Sequence, residues 1–113
     1  MNIQQKGAQF FMVTGSNSIQ VYPDPLVRQN FMCHIGVNTV FYPNLRLKAL
    51  AEREHIDFFD LAEPMQAYAD QHRVFLHGFD RDIGNGHWNA AGHQVVADLI
   101  AQRLCNSETL AQR

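Results

Sequence analysis

Four short runs along this chain are apolar or aromatic nearly throughout: residues 9–13 (QFFMV), 39–42 (TVFY), 57–61 (DFFDL) and 74–76 (VFL), each bounded by polar or turn-forming residues. Runs of this kind and length suit strands covered on both faces. Between them, apolar positions recur at helical spacing. Asp24 stands as an N-cap before Pro25, a proline at the first helical position, and Leu26, Val27, Asn30 and Phe31 follow. Pro43 opens a second helix with an inward stripe of Leu47, Leu50 and Ala51, while Arg46, Lys48, Glu52 and Arg53 face outward. Pro64 opens a third, with Met65, Tyr68, Ala69 and His72 on one face. Asn89 caps a fourth, whose stripe of Ala91, Val95, Leu99 and Ile100 reaches Leu104; residues 106–113 then read as a frayed polar tail.

Strands alternating with helices imply βαβ units and a parallel sheet, so the fold class is α/β, with one domain over residues 1–105. A parallel sheet of three or four strands has exposed edges and little core of its own. Pairing with another chain through a sheet edge, or a larger fold of which this is part, would cover them.

Composition narrows the classes. Hydrophobic residues make up 46% and charged residues 18% of 113 positions, enough apolar matter for a real core. Nine Lys and Arg against eleven Asp and Glu give a net charge of -2, with basic residues scattered among acids, which argues against a nucleic-acid partner. No apolar run approaches the ~18 residues of a membrane span, and residues 1–9 lack the apolar stretch of a secretory signal. The default address is the cytoplasm. Cys33 and Cys105 match neither a zinc site nor a redox pair and read as small core hydrophobes, a disulfide between them being the alternative.

The segment with most chemical content is GNGHWNAAGH, residues 84–93. Two glycines and an asparagine form a tight loop before the last helix and present His87 next to Trp88. An imidazole with an ordinary pKa of about 6.5 exchanges protons near neutrality, so His87 suits general base work.

At this segment the chain resembles a known family. The run GHWNAAGHQVVADLIAQRLC is similar to the last block of the SGNH hydrolases, the GDSL esterases and lipases, and the likeness extends upstream through IQVYPDP, VFYPNLRLKAL, FFDLAEPMQAYA and VFLHGF. The resemblance implies a three-layer α/β/α sandwich of flavodoxin-like type, here its C-terminal portion with three or four strands. It also implies ester hydrolysis or acyl transfer through a serine acyl-enzyme, a small-molecule ester as substrate, and no metal or organic cofactor. His87 takes the role of general base. The departures matter equally: the Gly-Asp-Ser nucleophile block and the glycine and asparagine oxyanion blocks are not visible. Where the family has an aspartate three residues before the histidine, this chain has Gly84, with Asn85 next. Asp82, with Asp80 upstream of it, is left as the acid partner of His87 if the loop folds back. A base without its nucleophile retains little of the rate enhancement, so the isolated chain is expected to be inactive as an esterase.

Other candidates read more plainly. Residues 13–18 (VTGSNS) run from a strand into Gly15 and Ser16, but no aspartate precedes either serine where a nucleophile turn needs one; Ser16 reads as a polar turn residue. His72 and His77 flank a strand, and His93 sits in the first turn of the last helix; none has zinc-ligand spacing. Arg46 could meet a substrate carboxylate but reads as part of a solvated face. The alternative function is a non-catalytic binding or assembly module, a homo-oligomer paired through an exposed sheet edge.

Overall fold

A computed structural model of the chain describes residues 9–111, with side chains for residues 9–106. Residues 1–8, read above as lacking a secretory signal, and residues 112–113 lie outside the described residues. The expected α/β class holds at the level of mixed helix and parallel strand. Strand β1 (Phe11–Thr14) pairs in parallel with β2 (Asp57–Asp60), Phe11 opposite Asp57 and Thr14 opposite Asp60. Between them come a 3-10 turn (Ser18–Val21), helix α1 (Pro25–Ile35) and helix α2 (Tyr42–Arg53). After β2 follow α3 (Ala62–His72), a short 3-10 turn (Asp80–Asp82) and the long α4 (Ala90–Ala111).

The sheet has two strands among the described residues, not three or four. Residues 39–42 are not a strand because their backbone is bonded locally: the Thr39 hydroxyl accepts from the Phe41 N–H at 3.1 Å, and Phe41 already serves as N-cap of α2. Residues 74–76 form no strand either, and their carbonyls are committed elsewhere. Asn89 takes both the Phe75 and Leu76 carbonyls, through its side chain at 3.0 Å and its backbone N–H at 3.0 Å.

The helix boundaries follow their signals. Asp24 accepts from the Leu26 N–H at 3.0 Å, Pro25 opens α1, and Gly36 closes it in the left-handed region at φ 76°. In α2 the expected stripe is narrower than its sequence suggests, since Ala51 is fully buried while Leu47 and Leu50 are exposed. Arg46 lies on the solvated face against the Tyr42 ring. Along α3, Met65 and Ala69 are buried, whereas Tyr68 and His72 stack on each other at the surface, 4.2 Å between ring centroids. The backbone of α4 runs on through residues expected to form a tail, there being no Gly or Pro after residue 105 to stop it. Cys33 and Cys105 are both exposed and no disulfide joins them, so neither is core.

The core lies where α3 and α4 pack around residues 74–76: Val21, Leu61, Met65, Ala69, Leu76, Val95 and Val96, flanked by Phe59, Trp88 and Leu99. Polar groups that are buried with it are paired, as burial requires. The Arg28 guanidinium makes a two-pronged bond to Asp70, 2.8 Å on each arm, joining α1 to α3. Asn44 donates to Asp60 Oδ1 at 2.8 Å and accepts from Gln20 at 2.6 Å. The same Asp60 oxygen receives the N–H of Ala62, the first residue of α3, at 3.0 Å. These bonds fix the carboxyl ends of both strands, the end of an open parallel sheet at which ligands collect.

Candidate active site

Leaving β1, the chain turns through Gly15 and Ser16; leaving residues 74–76, it reaches His77 and then loops back to Trp88. The return is held by its backbone. His77 and Trp88 form an isolated antiparallel bridge, the Gly78 N–H donates to the His87 carbonyl at 2.8 Å, and the Gly84 N–H donates to the His77 carbonyl at 2.8 Å. Gly78 sits at φ 91°, and a Cβ there would fall 2.2 Å from the Asp82 carbonyl oxygen, so the loop closes only around glycine. Asn89 completes the hold: its side chain donates to the Phe75 and Gly78 carbonyls and accepts from the Gly92 N–H at 3.0 Å. The expected cap of α4 is therefore also the clamp of the His87 loop.

The two turns meet. His77 is buried, with 4% of its surface exposed, and its Nδ1 lies 2.6 Å from the Gly86 carbonyl oxygen. A carbonyl only accepts, so Nδ1 carries the proton and Nε2 presents a lone pair. That lone pair faces the Ser16 hydroxyl at 2.9 Å. The Trp88 indole N–H donates to the same hydroxyl oxygen at 3.0 Å. Burial lowers the pKa of His77; the Gly86 carbonyl pulls the other way by holding the Nδ1 proton, and the nearby His87 adds to the lowering. His77 is thus neutral at pH 7.

Ser16, Asn17, Ser18, His77, Gly86, His87, Trp88 and His93 line an open pocket of about 470 Å³. His87 is exposed at its rim, and its imidazole makes no hydrogen bond to another described residue. His93 packs edge-on against Trp88, 5.6 Å between ring centroids. Asp82 and His87 line one smaller cleft, together with Phe79, Asn85 and Gly86. No hydrogen bond joins the Asp82 carboxylate to the His87 imidazole, so the structure brings this pair near without making it a couple. Among the described residues no group of three or more His, Cys, Asp or Glu side chains is placed to hold a metal ion. No described helix is long and apolar enough to cross a membrane.

What sequence reading does not show is the contact between Ser16 and His77. Sixty-one positions separate the two, and neither belongs to a recognisable spacing. Comparison with protein-family models, with curated proteins and with solved structures finds no match.

Proposed function

We propose that this chain is an SGNH-like domain built for acyl-ester chemistry, the histidine-bearing part of a three-layer α/β/α fold in which His87 is the general base. The single observation that carries the reading is the placing of His87: a loop pinned at both ends by backbone bonds and by Asn89 holds, at the mouth of a pocket, an imidazole with no hydrogen bond to another described residue. Such a group is positioned to exchange a proton with whatever occupies the pocket. The pocket lies at the carboxyl ends of the strands and has the size of a small-molecule site. Asp82, which lines one cleft with His87, is the candidate to orient the imidazole once substrate is bound. Because the family's Gly-Asp-Ser block is not in this sequence, hydrolysis at the family's rate is not expected of the chain alone.

The test is occupancy of the pocket. A short-chain ketone has the shape of an ester but no leaving group; added at millimolar concentration, it should shift the NMR signals of His87 and the Trp88 indole. Unshifted His87 signals would overturn the reading. Hydrolysis of p-nitrophenyl esters should be insubstantial, and robust turnover lost in His87→Ala would overturn the expectation of inactivity.

One observation favours assembly as a second reading. The outer edge of β1 has no partner strand among the described residues, and Phe10 and Val13 beside it are exposed. Light scattering across concentrations tests this: association that grows with concentration supports it, and a strict monomer excludes it.

A further inference from the structure

Ser16 and His77 carry an arrangement that the His87 reading does not use. A serine hydroxyl has one proton to give and two lone pairs. Here the proton goes to His77 Nε2, one lone pair takes the Trp88 indole N–H, and the second is left on an oxygen that lines the pocket. The imidazole is oriented in turn by the Gly86 carbonyl, which fixes Nε2 as the acceptor. Nucleophile, base and orienting group thus stand in sequence at hydrogen-bonding distances, the geometry by which a weak hydroxyl nucleophile is activated. Gly15 permits it, since a Cβ at that position would lie 2.9 Å from the Trp88 ring and push the indole off Ser16.

We propose that Ser16 is a nucleophile activated by His77, able to take an acyl group from a small ester or a phosphonyl group from an activated phosphonate held in this pocket. In the step, Ser16 Oγ attacks the carbonyl carbon while its proton passes to His77 Nε2. The new Oγ–C bond forms, the bond to the alkoxide breaks, and the alkoxide leaves with the proton from Nε2, giving acyl-Ser16 and an alcohol. With a fluorophosphonate the Oγ–P bond replaces the P–F bond, fluoride leaves, and the proton stays on the imidazole until it passes to solvent. The Gly and Asn oxyanion blocks of the SGNH family are not visible here, and loss of one such donor alone slows acyl transfer about 10²- to 10³-fold. The reaction is therefore read as an adduct rather than as turnover. The pair stands on its own geometry, whether or not His87 acts as a base.

The experiment is labelling of the full chain with an alkyl fluorophosphonate, followed by intact mass and fragment mapping. One phosphonyl group per chain on Ser16 is expected. Ser16→Ala should not label. His77→Asn, which keeps an amide donor near the Gly86 carbonyl but has no base, should label at least about a hundredfold more slowly. The wild-type rate should be level above pH 7 and fall in acid with a midpoint below 6.5, because the neutral imidazole is the active form and its pKa is lowered. An adduct on another residue, no adduct on the folded chain, or undiminished labelling of His77→Asn overturns the proposal. If either variant fails to fold, the wild-type site and pH profile decide it: a rate independent of pH between 5 and 8 overturns it. The ketone titration reads His87 separately, so the two ideas fail independently.

Discussion

Gly92→Ala is the sharpest perturbation of the frame that holds the pocket. Gly92 lies in the first turn of α4, and a Cβ there would stand 2.2 Å from the Leu76 carbonyl oxygen and 3.1 Å from Trp88 Cβ. A comfortable carbon–oxygen approach is about 3.3 Å, so α4 must retreat from residues 74–76 by about 1 Å. The obstacle is backbone and cannot rotate away, which places the strain at the upper end of the overpacking range, about 3 kcal/mol. Alanine returns about 1 kcal/mol through its helix propensity. The net loss is about 2 kcal/mol. At a urea dependence of about 1.5 kcal/mol per molar, the unfolding midpoint should drop by about 1.3 M. Near-ultraviolet circular dichroism should change as well, because Trp88 sits in the same contact. A midpoint equal to or above wild type would refute the reasoning, since propensity alone would then decide the outcome.

Two further substitutions follow from named bonds. Asn44→Ala strips partners from Gln20 and Asp60, both tied into the ends of the strands, and should cost about 2 kcal/mol in urea unfolding; a loss below about 0.5 kcal/mol would contradict the role given to that network. Burial lowers the pKa of His77 in the folded chain; the Gly86 carbonyl opposes this, and His87 adds to the lowering. The unfolded chain therefore binds the proton more readily, and stability should fall as pH drops below about 6.5 toward the lower folded pKa. His77→Asn should flatten that fall between pH 7 and 5; an unchanged slope would contradict it.

Much of the fold was legible where a local signal and the tertiary contacts agree. Asp24 with Pro25, and Asn89 before α4, mark helix starts in sequence and cap them in space. Residues 39–42 and 74–76 carry the composition of strands yet pair with no strand among the described residues, because a Thr39 turn and the Asn89 clamp claim their backbone groups. Propensity cannot register such competition. The loop that bears His87 was legible from its glycines and its place before α4. The Ser16–His77 contact was not, because it depends on two turns brought together by the fold and leaves no spacing in the chain.

The nucleophilic role proposed for Ser16 depends on one tautomer of His77. Imidazole nitrogen NMR of His77 at pH 7 measures it directly. A neutral ring protonated on Nδ1, with an Nε2 signal that moves in Ser16→Ala, is the result this geometry requires. A ring protonated on Nε2 would make Ser16 an acceptor from His77, leave the hydroxyl without a base, and contradict the account.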